Sequence, residues 1–311
     1  MRLLLLISLL LTLIQVSGQN VLFYNVENLF DTIDDHHHLD REFLPKSSKE
    51  YGSIRYRLAL RQSARALRLA LHTVNNEVDV IALCEVETRG VVQDLARHRA
   101  LRNLGDWQVV HYDSPDFRGI DCAALVNTAR VKLVDSDRFR YSNDSLKTRD
   151  ALYVQIQRAD SSLSHLAVVH FSSKRGGAAA SQWKRTYELN AVRSMFDTCL
   201  SPVLICGDFN DFPSALAYQQ ALNEGWKAPD LTSKKGLDPT SGTYKFQGRW
   251  QYIDLGLSKN STFSTCILSL PMLLEEDTKW GGFKPRKRWQ GTFFVNGYSD
   301  HLPVYFSNAA N

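Results

Sequence analysis

Short apolar runs punctuate this chain, and several of them halt on a carboxylate, an amide or an imidazole. NVLFYN, VDVIALCE, WQVVHY, CAALVN, ALYVQI, HLAVVHF, PVLICGD, YIDLGL and LPVYF are short and rich in β-branched and aromatic residues, so they read as strands. Three longer stretches carry helical spacing. In Arg55–Val74 (RYRLALRQSARALRLALHTV), Leu58, Leu60, Leu67 and Leu71 fall near one stripe with arginines outside it. AASQWKRTYELNAVRSMFDTCL and SALAYQQALNEG are the other two, the last with Gly225 as its C-cap. Some strands follow one another directly and others are separated by helices. That order excludes a purely doubly wound or barrel pattern and predicts an α+β or α/β sandwich. No repeat, low-complexity tract or linker divides it, so residues 19–311 are expected to form one domain.

The first eighteen residues do not belong to that pattern. Arg2 is a short basic region, Leu3 to Val16 is an apolar run, and VSG supplies small residues for cleavage before Gln19. Residues 1–18 are predicted to be a secretory signal, which makes the mature protein secreted or periplasmic. The run is short for a membrane span, so no stable membrane insertion is expected. Export permits disulfides. Yet Cys84, Cys122, Cys206 and Cys266 lie in or beside strand-like runs, Cys199 ends a helical pattern, and no pair has zinc-type spacing. Neither a disulfide framework nor a structural zinc is predicted.

Composition is that of an ordinary globular protein, 44% hydrophobic and 23% charged, with net charge +4. Removing Arg2 with the signal leaves +3, too mild to imply a polyanionic partner by itself. Locally the charge is more telling. KPRKRW (Lys284 to Trp289) and SSKRGG (Ser172 to Gly177) set cations beside an aromatic or glycines. Each reads either as a solvated loop or as a surface facing a phosphate-rich substrate. His36 to His38 lies in a charged loop without the spacing of a helical metal pair.

Inspected together, the strand ends carry the chemistry. One run ends on Asn25 with Glu27 close behind, and others end on Glu85, on His170, and on Asp208 with Asn210. Asp254 sits inside YIDLGL, and Asp300 and His301 precede the last strand. Buried carboxylates and imidazoles are costly unless paired or bound to a cation, so their repetition predicts convergence at one sheet edge. Glu85 with Asn25 offers oxygen ligands suited to Mg²⁺ or Mn²⁺. Asp300 adjoins His301, but neighbouring strand residues point to opposite faces, so Asp254 is the better partner for the imidazole. An oriented, neutral His301 suits a general base for water, and the set fits in-line attack on a phosphoryl centre.

FYNVEN, ALCEVE, VVHFSS, GDFND, YIDLGL and SDH, in this order, resemble the motifs of the endonuclease/exonuclease/phosphatase superfamily, from Val21 to Phe306. The resemblance implies a four-layer sandwich, two mixed β-sheets flanked by helices, with the active site at one sheet edge. It implies Glu85 as principal metal ligand, with Glu87 the weaker candidate, Asn25 near metal and phosphate, and Asp300 and Glu27 as further metal candidates. It gives Asp208 and Asn210 the task of orienting the nucleophile and stabilising the transition state, and makes His301 the base with Asp254 its partner. His170 would aid the leaving group or phosphate, Arg149 in KTRDALYV would contact phosphate, and Asp121 could orient His170. The expected activity is Mg²⁺- or Mn²⁺-dependent phosphodiester hydrolysis by a monomer. Nucleic acid is the favoured substrate because both basic loops suit an extended polyanion. Lipid head groups or small phosphate esters are the alternative. A catalytically silent binding module is disfavoured, since no expected metal or base position is lost.

Overall fold

The computed structural model describes residues 19–141, 146–236 and 242–308, with only the backbone of 232–236. The predicted signal lies outside the described residues. Nine strands and four helices come first in the chain: β1 (Asn20–Leu29), α1 (Ser53–Thr73), β2 (Val80–Val86), α2 (Arg89–Arg97), β3 (Trp107–His111), β4 (Asp121–Asn127), β5 (Lys132–Phe139), β6 (Ala151–Gln157), β7 (Leu163–His170), α3 (Ala178–Ser194), β8 (Val203–Asp208), α4 (Leu216–Asn223) and β9 (Asp230–Gly236). Strands Asp254–Lys259, Phe263–Ser269 and Val304–Asn308 complete two mixed sheets, and short hairpins decorate the connections.

The seven-stranded sheet runs β3-β4-β2-β1, then Val304–Asn308, Phe263–Ser269 and β9; the five-stranded sheet runs Asp254–Lys259, then β8-β7-β6-β5. Because strand side chains alternate, β1 sends Val21 and Phe23 between the sheets and Leu22 and Tyr24 outward under the helices. Leu166, Val168, Leu204 and Cys206 meet them from the second sheet, and that sheet's outer face, with Ile205 and Leu257, packs on Leu189 and Val192 of α3. The result is the expected four-layer α/β/β/α sandwich. Strands buried on both faces read as continuous apolar runs, which is why their pattern was so legible.

The helices differ from expectation in detail. The face of α1 that packs on the first core consists of Ala59, Ala66, Ala70, Leu67 and Leu71, while Leu58 and Leu60 are only half-buried. α3 stops at Ser194 rather than reaching Leu200. α2 was not anticipated; it starts at Thr88, whose Oγ1 accepts the Val91 N–H at 3.2 Å, and it buries Val91, Val92 and Leu95. Nine helical residues straight after a strand are too few for periodicity alone to find. Among the described residues no helix is long and apolar enough to cross a membrane. All five cysteines are free, four of them buried.

Candidate active site

Strand register sets the floor of the site. β8 lies between β7 and Asp254–Lys259, with Asp208 opposite His170 on one side and Asp254 on the other. The glycine that closes the apolar run before Asp208 has a steric cause: a Cβ on Gly207 would lie 1.9 Å from the Val169 carbonyl oxygen. In the other sheet, register shifts after Asn25 in β1 and at Glu85 in β2 mark β-bulges. A bulge inserts one residue and re-aims a side chain. Glu85 accordingly takes φ +64°, and Glu27, Asn28 and Asn210 also have positive φ. Four non-glycine residues in this sparsely populated region, gathered at one sheet edge, mark a place where the fold stores backbone strain.

The two sheet edges meet through polar contacts. Asn25 Nδ2 donates to Glu85 Oε1 at 3.4 Å and to Asp208 Oδ2 at 3.3 Å, while its Oδ1 accepts the Glu27 N–H at 3.0 Å. Asn28 N–H holds the other Glu85 oxygen at 2.9 Å. His170 Nε2 stands 3.8 Å from Glu85 and 3.6 Å from Asp208. His301 Nδ1 lies 2.8 and 3.1 Å from the two oxygens of fully buried Asp254. Its Nε2 faces Asp208 at 3.8 Å and Asp300 at 3.9 Å. Ser299 Oγ donates to the Asn25 carbonyl at 2.7 Å and accepts the His301 N–H, tying the last strand to the first motif. The Tyr244 ring covers the imidazole, centroids 4.9 Å apart.

Electrostatically this is a buried surplus of carboxylates. Burial, reinforced by Asp254 and Glu85, pushes Asp208 up to about 7 despite the nearby His301. Burial and Glu85 push Asp300 up as well. Burial alone would lower His301, but Asp254, Asp208 and Asp300 together raise it well above the usual imidazole value. The neutral base expected from the sequence is therefore a cation when these carboxylates stand uncompensated. A divalent ion among them removes that bias. The chemistry of the site suits such an ion: Glu85 and Asp300 offer carboxylate oxygens, Asp208, Asp254 and His301 place ligand atoms within 4.8 Å of one another, and there is no thiolate among these residues. His170 has the opposite shift, well below normal, from burial and from Arg149 and Arg118, so it is neutral, and its buried Nδ1 lacks a hydrogen-bond partner.

Several sequence expectations need correction. The Glu27 carboxylate accepts the backbone N–H groups of Arg288 and Trp289, so it caps that loop from a buried position, with Asp300 near enough to raise its proton affinity further. Glu87 holds the Asp31 N–H at 2.6 Å. Arg149 is spent internally, on the carbonyls of His170 and Phe171 and on Asp116 at 2.9 Å, so it secures the end of β7 while lining the cleft. Asp121 pairs with His111 at 3.4 Å, not with His170. Asn210 lines the cleft, with Nδ2 donating to the Phe171 carbonyl at 3.1 Å.

Above this floor opens a cleft of about 1140 Å³. SSKRGG forms part of its lining; KPRKRW does not, and its Arg288 is fully buried. The sequence reading missed other lining cations, Arg118, Lys147, Lys184 and Arg185. FRG at Arg118 repeats the aromatic, cation and glycine mixture of the two basic loops and was findable; Arg185 inside α3 carries no such signal. Exposed Phe117, Phe212 and Phe246 also line the cleft.

Residues 20–309 match the family model described as the Endonuclease/Exonuclease/phosphatase family. The chain belongs to this family. Members of the endonuclease/exonuclease/phosphatase family are metal-dependent phosphoester hydrolases, and this chain is a phosphoesterase of that family. No curated protein matches the chain. Among solved structures, it is similar to an endonuclease/exonuclease/phosphatase from Bacteroides vulgatus, with TM-score 0.60 and 13% identity over 95% of this chain and all of that one. A mannosyl-6-phosphatase of Bacteroides thetaiotaomicron has TM-score 0.58 and 14% identity, covering 93% of this chain and 98% of its own. D. rerio TDP2 complexed with a single-strand DNA product has TM-score 0.57 and 17% identity, covering 94% and 98%. At such identities these structures establish the fold alone.

Proposed function

We propose that this phosphoesterase is an exported, Mg²⁺- or Mn²⁺-dependent phosphodiesterase that cuts nucleic acid. The observation that carries the reading is the cleft itself: an acidic, imidazole-bearing floor in a cleft of about 1140 Å³ whose lining also carries Arg118, Lys147, Lys174, Arg175 and Lys184 and exposed Phe117, Phe212 and Phe246. Cations suit successive backbone phosphates, and aromatic faces stack on bases without regard to sequence. A pocket for one small phosphate ester would need neither so many cations nor the rings. The similarity to TDP2 with single-strand DNA points the same way, and the similarity to a mannosyl-6-phosphatase supports the smaller substrate.

Glu85, Asn25 and Asp300 would hold the metal, which supplies Lewis-acid polarisation of the phosphoryl group and a more acidic water. The chain's own residues supply the rest. Asp254 fixes the His301 ring and its Nδ1–H, leaving Nε2 to accept a proton from the attacking water. Asp208, held by Asn25 and by the Asn210 N–H, faces that nitrogen and orients the nucleophile. Neutral His170 and the side chains of Asn25 and Asn210 are the groups we assign to stabilising the developing phosphoryl charge.

The test is the purified mature chain, with Mg²⁺ or EDTA, on plasmid DNA, RNA, sphingomyelin and a sugar phosphate. Metal-dependent cleavage of nucleic acid is expected, with His301→Ala slower by about 10²–10⁴-fold. The His301→Ala/Asp254→Asn double variant should be little worse than His301→Ala alone, because paired groups lose activity non-additively. Turnover of the sugar phosphate alone would replace the nuclease reading. Export is checked separately: the exported chain should begin near Gln19, and an intact Met1 chain in the cytosol would refute it.

A further inference from the structure

The outer face of the helical layer over the seven-stranded sheet carries a second basic feature, remote from the catalytic lining. α1 contains five arginines and no carboxylate in the whole of Ser53–Thr73. Arg57, Arg61, Arg65 and Arg68 recur every three or four residues, so they form one stripe along the helix. At a rise of about 1.5 Å per residue, the stripe is about 16 Å long. Arg55, at the head of the helix, has Glu50 at 3.1 Å, but the four arginines of the stripe have no carboxylate partner among the described residues. Asp94 of the neighbouring α2 is taken by the Tyr56 hydroxyl at 2.7 Å.

A groove of about 500 Å³ follows this stripe. Arg61, Arg65 and Arg68 line it from α1, His98 and Arg99 from the turn after α2, and Met272 from a short helical turn. Arg61 Nε is buried there with no hydrogen-bond partner. The fold thus holds like charges side by side without a carboxylate ion pair among the described residues, a repulsion that a bound anion would relieve. His98 registers the crowding, its proton affinity lowered by burial and then by Arg99 and Arg61.

We propose that this groove is an exosite for the phosphodiester backbone of single-stranded nucleic acid, engaging a part of the strand away from the scissile bond. Guanidinium groups bind phosphate in bidentate fashion. The lining contains no Phe, Tyr or Trp and no carboxylate, and its one ring is the His98 imidazole, so it is built chiefly to hold backbone. A concave strip of arginines suits a strand, whereas a membrane surface calls for a wider flank of exposed apolar side chains than Met272 and Leu69 provide. The choice of nucleic acid over other polyanions rests on the function proposed above; the site itself rests on the unpaired arginines.

The experiment compares the full mature chain with its Arg61→Gln/Arg65→Gln/Arg68→Gln variant. Glutamine keeps the helix propensity, and equal thermal melts would verify folding. Binding of a fluorescent oligo-dT is followed by anisotropy in EDTA across a salt series. The variant should bind at least tenfold more weakly, and its plot of log affinity against log salt should be shallower by about 2, at about 0.7 for each phosphate no longer neutralised. Hydrolysis of bis(p-nitrophenyl) phosphate should be unchanged, since none of the three arginines lines the catalytic cleft. Unchanged oligonucleotide affinity and slope would overturn the proposal. So would a selective loss of binding to anionic phosphatidylserine vesicles with oligo-dT binding intact, which would make the groove a membrane-binding surface. The two readings fail separately: a chain that cleaves no nucleic acid, yet loses oligo-dT binding in the variant, keeps the exosite and loses the nuclease.

Discussion

KPRKRW and SSKRGG look alike in the sequence and end in opposite places. In the first, Arg288 leaves water altogether: its guanidinium donates to the carbonyls of Val26, Glu27 and Tyr298 and to Ser63 Oγ, and its own N–H meets the Glu27 carboxylate. It thereby fastens the strained turn from which Asn28 reaches Glu85. In the second, the loop is anchored by Glu188, which accepts both the N–H and the hydroxyl of Ser172, so its cations stay available. Arg175 is exposed at the cleft, and Lys174 sits over the Phe212 ring at 3.5 Å. A cation's task is set by the acceptors around it. Four internal acceptors make a lock, whereas Lys174, with Asp211 at 3.9 Å, and exposed Arg175 leave a surface for substrate. Arg185 stands between these extremes, buried yet at the cleft, bonded to Asp211, Ser181, Ser172 and Ala178.

The sharpest way to break the contrast is Arg288→Met. The change leaves the buried carbonyls of Val26, Glu27 and Tyr298 and Ser63 Oγ without their guanidinium donor, at a cost of about 1–3 kcal/mol for each acceptor left unsatisfied. Urea denaturation should show that loss, and Arg288→Lys should recover only part of it, because one ammonium does not span the same acceptors. A variant as stable as the parent would mean the lock is not one.

Next in size is Arg185→Gln. It gives up charge-assisted bonds to Asp211 and neutral bonds to the loop, so about 1.5–3 kcal/mol of stability should go. KM should rise as well, because the guanidinium helps place Ser172 at the cleft. A stability loss with KM unchanged would move Arg185 fully to the structural side.

Smallest in stability is Lys174→Ala/Arg175→Ala, expected to shift the unfolding free energy by about 0.5 kcal/mol per site or less. Its effect belongs to substrate. KM on long nucleic acid should rise, and the salt slope should fall by about 1.4, at about 0.7 for each phosphate released. Unchanged KM at low salt would show that this loop, like the other, does not meet the substrate.

A fourth measurement concerns the floor beneath both loops. The raised Asp208 and His301 both favour the protonated state in the fold, so the stability they lend is full at low pH and is lost as pH rises through about 7 and above. Without metal, the melting temperature should therefore fall between pH 5 and pH 8. Added Mg²⁺ should raise it more at pH 8. A flat metal-free profile would refute the carboxylate surplus.

The sequence by itself determined the sandwich and the membership of the site. Strands covered on both faces must be apolar throughout, and a polar residue that ends such a run is conspicuous, so Asn25, Glu85, His170, Asp208, Asp254 and His301 could be collected from local pattern alone. Asp254 was legible as a partner for His301 because its own strand had no other reason to bury a carboxylate. What the pattern did not reach was direction and company. That Glu27 caps the Arg288 loop depends on an irregularity in which β1 gains two residues on β2 between Asn25 and Leu29, and such an insertion leaves no mark in hydrophobic periodicity. Arg149 was expected to contact phosphate and Arg288 to lie in a basic loop, yet burial with carbonyl partners far away in sequence made them internal ties. Hydrophobic burial acts on each side chain separately and so is written along the chain. Hydrogen bonds and ion pairs need two groups at bonding distance, and only the packed layers decide which two meet.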